Sequence, residues 1–185
     1  MNVETTIPTT RADLAEMGYP ERIPATWEEF LDCLESAEFN VEYDNQHIII
    51  MSYATNRHEQ IVLNFGTVSN ILFEDDEDIL VLGSSRPVYH ESWGERSYNP
   101  DVHIVVGEVI EIEYRQGMTA NANPAVIFEV LSPSTAQHDW NDKLPRYKKM
   151  PSVRQIIYIE QSRPYVTVFT RIGNTDQWIN VANDR

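Results

Sequence analysis

Residues 124–149 read PAVIFEVLSPSTAQHDWNDKLPRYKK and run from a predicted buried strand into a predicted helix. The first eight positions are almost all apolar, which is typical of a strand that is covered on both faces. Glu129 interrupts this apolar run. A carboxylate in such a strand costs several kcal/mol unless it is paired, protonated or bound to a cation. The segment therefore predicts an α/β fold whose central strand carries an acid in need of a partner.

The best candidate for a residue that lies beside Glu129 is Asp101, which follows Asn99-Pro100 and precedes a second apolar run. Two carboxylates that enter one sheet from adjacent strands repel each other, and a divalent cation between them relieves the repulsion. A second interpretation stays open. Glu129 could lie at the exposed rim of the sheet, and Asn99-Pro100-Asp101 could form only a turn.

The helix that follows the central strand is constrained by Pro145. Proline is tolerated where its missing N–H has no partner within the helix, so we expect the helix to begin near Asn141 or Asp142. Lys143 would then lie at the N-terminal mouth of the helix, beside the strand that carries Glu129. The basic residues of this region are also what a solvated helix face would show; they are Lys143, Arg146, Lys148, Lys149 and Arg154.

Upstream of the central strand, the pattern predicts a helix over residues 26–36, a hairpin over residues 39–52 with its turn at Asp44-Asn45, and a helix over residues 56–73. His58 projects from the first turn of this last helix towards the sheet, where it is either a catalytic group or a satisfied residue at the edge of the core. Residues 108–123 are polar without a clear period and predict a mobile excursion. Three further short strands are predicted at residues 154–160, 166–171 and 178–181.

The length of 185 residues and an apolar content of 42% fit one globular domain, residues 25–185, preceded by a loosely attached arm, residues 1–24. The sequence shows neither a membrane span nor a secretory signal, and the single Cys33 cannot form an internal disulfide, so we expect a cytoplasmic protein. The formal net charge of −15 opposes nonspecific attraction to a polyanion.

The predicted order of elements is helix, strand, strand with Asp101, strand with Glu129, helix with Lys143, strand. This order and its acids resemble the PD-(D/E)xK nuclease-like superfamily, except that Leu131 stands where that motif has its lysine. A longer set of residues is similar to the Uma-two putative restriction endonuclease family, once known as a domain of unknown function. The set consists of Glu42 before a hairpin turn, Met51-Ser52, His58, Pro100-Asp101, Glu129–Thr135, Asp139, Lys143–Pro145, Tyr147, and Val153 before Ile157.

The resemblance implies a restriction-endonuclease-like αβββαβ core of the α/β (α+β) class, with a mixed central sheet flanked by helices. An added N-terminal helix and hairpin and C-terminal edge strands complete the expected fold. It also implies a Mg²⁺-dependent endonuclease acting on nucleic acid, with DNA as the expected substrate and Mn²⁺ as a substitute metal. Asp101, Glu129 and the carbonyl of Val130 would bind the metal, and Lys143 would replace the lysine missing at Leu131.

The family analogy further assigns Glu42 and His58 to the same catalytic cleft. We also expect a homodimer, because a small nuclease needs two sites to cut both strands. Two other functions remain open: a catalytically silent module of nuclease fold that binds protein or nucleic acid, and a serine hydrolase that uses Ser132 or Ser134. The last lacks the Gly-x-Ser-x-Gly motif that such enzymes carry.

Overall fold

The computed structural model describes residues 6–51 and 53–184. The helices are α1 (Arg11–Glu16), α2 (Trp27–Ser36), α3 (Asn56–Leu72), α4 (Ala136–His138) and α5 (Leu144–Tyr147), with a 3₁₀ turn at Glu91–Trp93 and a π-helical segment at Asp139–Lys143. The strands are β1 (Arg22–Pro24), β2 (Val41–Asp44), β3 (His47–Ile50), β4 (Ile79–Gly83), β5 (Val102–Val106), β6 (Glu111–Arg115), β7 (Met118–Asn121), β8 (Pro124–Leu131), β9 (Gln155–Glu160), β10 (Val166–Arg171) and β11 (Trp178–Asn183).

A six-stranded sheet in the order β11-β10-β9-β8-β5-β4 forms the centre of the fold. Strands β8 and β9 are parallel, and every other neighbouring pair in this sheet is antiparallel. The chain order α3, β4, β5, β8, helix, β9 gives the αβββαβ core, with the β6–β7 hairpin inserted between β5 and β8. The predicted fold class is therefore confirmed.

Strand β8 lies between two apolar layers, as its run of apolar residues predicts. On one face α3 packs against it, and the ring of Phe65 stacks on Phe128 at a centroid distance of 3.8 Å. On the other face, Ile127 and Leu131 join a core that includes Tyr147 and is closed by the segment after the π-helix. Burying an aliphatic or aromatic side chain of this size contributes about 1.5–3 kcal/mol, so both layers hold β8 in place.

A second, three-stranded sheet in the order β1-β3-β2 carries the predicted hairpin. Its turn residues Asn45 and Gln46 have φ angles of 51° and 62°, the left-handed conformation that a tight hairpin turn requires. The turn thus lies one residue later than the predicted Asp44-Asn45. Helix α2 begins at the capping box of Thr26 and packs the ring of Phe30 against Tyr43 of β2.

The prediction of a mobile excursion over residues 108–123 is wrong. These residues form the β6–β7 hairpin, and the hairpin is fixed to helix α2. Arg115 pairs with Glu28 and Asp32 at 2.8 and 2.6 Å, and the ring of Tyr114 contacts Trp27 edge-on. Arg115 lies 83 and 87 positions after its two acidic partners, so no local pattern in the sequence could predict the contact.

The predicted start of the helix near Asn141 is also wrong. The helix begins at Ala136, and it accommodates Pro145 by widening into the π-helical segment immediately upstream. Within this segment the N–H of Leu144 bonds to the carbonyl of Asp139, five residues earlier. Such π segments change which side chains face inward and are frequent at functional sites. Here Asp139 and Lys143 are both buried.

The described part of the N-terminal arm, residues 6–24, contains α1 and β1. Thr10 caps α1, and β1 pairs antiparallel with β3 from Arg22 to Pro24. The buried thiol of Cys33 on α2 lies 3.6 Å from the carbonyl of Pro8. None of the described helices combines the length and the apolar character that crossing a membrane requires.

Candidate active site

Asp101 and Glu129 lie side by side because β5 and β8 are neighbours. Asp101 precedes the first residue of β5, and the register pairs Val102 with Phe128, the residue before Glu129. The backbone N–H of Asp101 donates to Oε2 of Glu129 at 3.3 Å, and the N–H of Val130 donates to Oδ2 of Asp101 at 2.7 Å. Each carboxylate is therefore held by the backbone of the strand segment that carries the other acid.

Lys143 points into the protein towards these acids, and its side chain is only 1% exposed. Its ammonium lies 2.9 Å from Oε1 of Glu42, 3.1 Å from Oε1 of Glu129 and 3.1 Å from Oδ1 of Asp139. An ammonium has three N–H donors. Three carboxylates thus surround Lys143 and can accept all of its hydrogen bonds.

Glu42 reaches the cluster from β2 of the smaller sheet and is fully buried. Its Oε1 accepts a hydrogen bond from the N–H of Asn99 at 2.7 Å, and its Oε2 lies 3.0 Å from Nε2 of His138. Burial alone would raise the pKa of Glu42, but the charges of Lys143 and His138 and the Asn99 N–H together lower it below the ordinary value. Glu42 is therefore the ionised acid that connects the two sheets.

His58 contacts Asp101 from the first turn of α3; its spacing predicted only that the side chain faces the sheet. Its Nε2 lies 3.3 Å from Oδ2 of Asp101, and both side chains keep a small exposed fraction, 15% and 17%. The hydrogen bond with Asp101 raises the pKa of His58, against the opposing effect of burial. The two groups form the solvent-facing side of the cluster.

Burial raises the pKa of Glu129 well above its ordinary value. Lys143 opposes this shift, and the neighbouring Asp139, Asp101 and Glu42 increase it. Burial also raises the pKa of Asp139. The hydroxyl of Tyr147 donates to Oε1 of Glu129 at 2.8 Å. Three carboxylates share one ammonium and a fourth, Asp101, lies beside Glu129, so a bound cation would reduce the repulsion among these acids.

The acids open into a cleft of about 380 Å³ whose lining combines hydroxyl and amide groups with the charged cluster. The lining includes Thr55, Asn99, Ser132, Thr135 and Gln161. The hydroxyl of Ser132 bonds to the hydroxyls of Ser134 and Thr135 at 2.9 and 3.0 Å. Hydroxyl and amide groups thus line the cleft beside the carboxylates, together with apolar side chains such as those of Met51 and Tyr53.

A second group of metal-ligating side chains consists of Asp44, His138 and Asp142, whose ligand atoms lie within 4.8 Å of one another. Both of its acids already have guanidinium partners: Arg96 lies 2.6 Å from Asp44, and Arg22 lies 2.9 Å from Asp142. The Asp101–Glu129 group has no arginine of this kind among its contacts in the described residues. Asp101 and Glu129 could therefore hold a cation without displacing an arginine, whereas Asp44 and Asp142 could not.

All five side chains predicted as catalytic meet in one cluster: Glu42, His58, Asp101, Glu129 and Lys143. The backbone of Val130 borders it through the N–H that bonds to Asp101. Ser52, which belonged to the predicted motif, lies outside the described residues. His138 was not predicted, and Asp139 was part of the family motif without an assigned role. Asp139 precedes Lys143 by four positions, a spacing typical of a helical ion pair, and this signal could have assigned its contact with Lys143.

Comparison with known proteins agrees with this fold. The chain is 27% identical over 151 residues to the uncharacterized protein sll1609 of Synechocystis sp., an alignment that covers 82% of each protein. The crystal structure of a putative nuclease belonging to DUF820 from Anabaena variabilis superposes with a TM-score of 0.69 at 22% sequence identity. That superposition covers 88% of this chain and 86% of the other. Residues 27–184 match the Uma2 family, described as putative restriction endonuclease, and the chain therefore belongs to this family.

Proposed function

We propose that this protein is a Mg²⁺-dependent endonuclease that hydrolyses phosphodiester bonds of nucleic acid. The observation that carries the proposal is the convergence of Asp101 and Glu129 beside the buried ammonium of Lys143. Membership of the Uma2 family supports a nuclease. The metal, DNA as the substrate and the roles of the individual residues are the proposed part.

The donor set suits a hard divalent cation. Asp101 and Glu129 offer carboxylate oxygens at the base of an open cleft, and Mg²⁺ is commonly held by one or two carboxylates while it keeps several waters. Burial and, to a smaller extent, the neighbouring carboxylates raise the pKa of Glu129, and a bound cation would stabilise its ionised form. We assign Asp101, Glu129 and the carbonyl of Val130 as ligands. When bound, the cation would supply a water of lowered pKa and neutralise charge on the phosphoryl oxygens.

The buried ammonium of Lys143 holds the acids of the cluster together. Its three contacts hold Glu129, Glu42 and Asp139 in one arrangement, so that Glu129 keeps its position without a ligand. To donate to a phosphate oxygen or an attacking water, the ammonium must give up one of these three carboxylates. Glu42 and Asp139 are the carboxylates that it can release without disturbing the proposed ligand Glu129.

His58 closes the cluster on the solvent side. Its hydrogen bond to Asp101 orients that carboxylate and raises the pKa of the ring, so that the ring is more readily protonated than a free imidazole. A protonated imidazole at the mouth of an acidic cleft also places positive charge where a phosphate would approach. We assign His58 to substrate binding and Glu42 to the support of Lys143.

DNA is the proposed substrate, although the net charge of −15 gives the protein no general attraction for a polyanion. Recognition therefore depends on local groups in the cleft and on the bound cation. A homodimer would supply the two sites needed to cut both strands. The cytoplasm stays the predicted compartment, on the basis of the single cysteine.

A thermal shift assay tests the cation site directly. Mg²⁺ or Mn²⁺ should raise the Tm of the wild type, because a ligand that binds only the folded state stabilises it. The Asp101→Ala variant should show no such shift. Glu74→Gln is the matched control, since Glu74 is an exposed acid in the turn after α3 and its removal should leave the shift intact. Equal shifts in the wild type and in Asp101→Ala would contradict the proposal.

A cleavage assay then separates catalysis from binding. Purified protein should cut DNA only with a divalent metal, and the cleavage rates of Asp101→Ala and Glu129→Ala should be at least a hundredfold lower than that of the wild type.

A second candidate function is a catalytically silent module of nuclease fold that binds a partner. It is favoured by Leu131 at the lysine position of the motif and by the full set of contacts at Lys143. Metal binding without cleavage of any DNA or RNA would support that alternative.

A further inference from the structure

Strand β11, Trp178–Asn183, forms one edge of the six-stranded sheet. It pairs with β10 over all six residues without a bulge, and within the described part of the chain no strand pairs with its outer side. Its sequence, WINVAN, contains no charged residue and no proline. Natural edge strands are usually protected from pairing by charges, prolines or bulges, and the six residues of β11 have none of these devices, although single acids, Asp176 and Asp184, flank the strand.

The opposite edge, β4, is protected. It follows directly after Glu74-Asp-Asp-Glu-Asp78, a run of five acids. Antiparallel pairing of β4 with β4 of a second copy would bring these runs close to the partner's sheet edge at both ends. Five like charges at each end of a contact oppose association more strongly than the single acids that flank β11, of which Asp176 already pairs with Arg171 at 3.4 Å. Of the two edges, β11 is therefore the one that can accept another strand.

The outward hydrogen-bonding groups of β11 can be identified. The N–H of Ile172 donates to the carbonyl of Gln177, so this pair is of the hydrogen-bonded type. Such pairs alternate along an antiparallel ladder, so Ile179 and Val181 bond to β10, and Trp178, Asn180 and Ala182 point their backbone groups outward.

We propose that β11 pairs antiparallel with β11 of a second copy, around a two-fold axis at Asn180. This register places the outward groups of Trp178 and Asn180 opposite those of Ala182 and Asn180 of the partner subunit. Three hydrogen-bonded pairs form, with about six backbone hydrogen bonds in total. The result is a homodimer in which the two six-stranded sheets become one continuous sheet.

The side chains fit the same register. Ile179 and Val181 share one face of β11 and are 54% and 64% exposed. With the axis at Asn180, Ile179 lies directly opposite Val181 of the partner subunit, in a non-hydrogen-bonded pair, where side chains approach most closely. Each copy thus buries exposed aliphatic surface against the other. The contact is smaller than the roughly 800 Å² per partner of a standard interface, so we expect an affinity near the micromolar range.

Light scattering after size exclusion, at about 1 to about 200 µM protein, tests the proposal. The wild type should shift with concentration towards twice its monomer mass of 21.4 kDa. Val181→Lys should stay monomeric because two ammonium groups would enter the contact. Asn180→Pro should also stay monomeric, since it removes an outward N–H that β10 does not use. Val181→Thr, which is uncharged and β-branched, should still dimerise, and so should Leu80→Lys on β4.

A cysteine pair tests the register. In a Cys33→Ser background, Asn180→Cys should form a disulfide-linked dimer on mild oxidation. Facing residues in a hydrogen-bonded pair have Cα atoms about 5.5 Å apart, within disulfide range. Gln177→Cys should not cross-link, because its copies lie far apart in this register. A wild type that stays monomeric throughout, or a dimer that Val181→Lys and Asn180→Pro leave intact, would overturn the proposal. Neither result depends on metal binding or cleavage, so the proposed activity is judged separately.

Discussion

The N–H of Asp101 donates to the carboxylate of Glu129 across 3.3 Å, so a backbone group of the β5 segment fixes the acid of β8. The reciprocal bond, from the N–H of Val130 to Asp101, fixes the acid of the β5 segment. Because strand pairing sets this geometry, the two acids stay together without a ligand. Their mutual repulsion is then a cost of the folded state, offset in part by Lys143.

The Glu129→Gln variant should change how stability depends on pH in the presence of EDTA. The pKa of Glu129 is raised in the folded protein, mainly by burial, from an ordinary value of 4.5. The folded state therefore retains a proton that the unfolded state has released. This contribution to stability is complete below about pH 4.5 and is lost as the pH rises through the folded pKa, by at most about 1.4 kcal/mol per pH unit.

Glutamine mimics the protonated acid at every pH. Urea denaturation between pH 4.5 and 8 should therefore give a stability of the wild type that falls, relative to Glu129→Gln, as the pH rises. Glu74→Gln, at an exposed acid, should follow the wild type. Parallel pH profiles for the wild type and Glu129→Gln would show that Glu129 is ionised in the folded protein without a cation.

The Lys143→Met variant should lose about 3–5 kcal/mol of stability, since removal of one partner leaves buried charges unpaired. The thioether cannot donate to Glu42, Glu129 or Asp139, which Lys143 contacts within 3.1 Å. Urea denaturation measures the loss. Lys149→Met, at an exposed lysine of the same segment, should change stability by less than about 0.5 kcal/mol.

The double variant Lys143→Met/Glu129→Gln should regain part of this loss, because glutamine cannot ionise and so needs no compensating ammonium. The difference between the double variant and the sum of the singles measures the coupling between the two residues, expected at about 1–3 kcal/mol. Additive effects would mean that Lys143 and Glu129 do not interact in solution.

The central residues of this site could be predicted from local patterns in the sequence. Glu129 interrupts an apolar run, Asp101 opens another, and helical spacing turns His58 towards the sheet; each of these signals is local. Glu42 is different, because its place in the cluster depends on how the smaller sheet packs against the larger one. Only the family resemblance pointed to Glu42, since no spacing within β2 relates it to Lys143.

The two wrong predictions, of the helix start and of the β6–β7 segment, also have physical causes. The rule that proline belongs in the first turn of a helix placed the helix start near Asn141, but a π-helical segment satisfies the same constraint and leaves Lys143 in the middle of a longer helical stretch. The hairpin formed by β6 and β7 was missed because its stability comes from contacts with α2, such as Arg115 to Asp32, rather than from its own apolar pattern.

The thiol of Cys33 should report whether the N-terminal segment stays docked. Burial raises the pKa of Cys33 to about 11 from 9.0, and the carbonyl of Pro8 lies over the sulfur. At pH 8 the thiolate population is then about a hundredfold lower than in the unfolded chain, and alkylation should be slower by at least this factor. Iodoacetamide labelling with and without urea measures the ratio.

Deletion of residues 1–9 removes Pro8 but keeps Thr10, the cap of α1. Labelling of Cys33 should then accelerate, by tenfold or more if the segment is what shields the thiol. Native protein that already reacts at the rate of the unfolded chain would show that the segment is open most of the time, as the predicted loose arm implies.

Arg171 anchors the segment that follows α5. Its guanidinium is 4% exposed and donates to the carbonyls of Val153, Lys148, Met150 and Thr175 at distances between 2.7 and 3.0 Å. One side chain thus satisfies three backbone acceptors of this irregular segment and a fourth, the carbonyl of Thr175, in the turn between β10 and β11. This segment leads from the helix with Lys143 into β9, so Arg171 also fixes the helix relative to the sheet.

Replacement of Arg171 by methionine should cost about 3–5 kcal/mol, because each buried carbonyl left without a donor costs about 1–3 kcal/mol and water can reach only some of them. Arg171→Lys should recover part of the loss, since an ammonium has three donors but lacks the planar fork. Arg163→Met is the matched control: Arg163 is 60% exposed and pairs only with Glu160 among the described acids, so its loss should stay below about 1 kcal/mol. Urea denaturation compares the three variants, and equal losses for Arg171→Met and Arg163→Met would mean that the four carbonyl contacts contribute little to the fold.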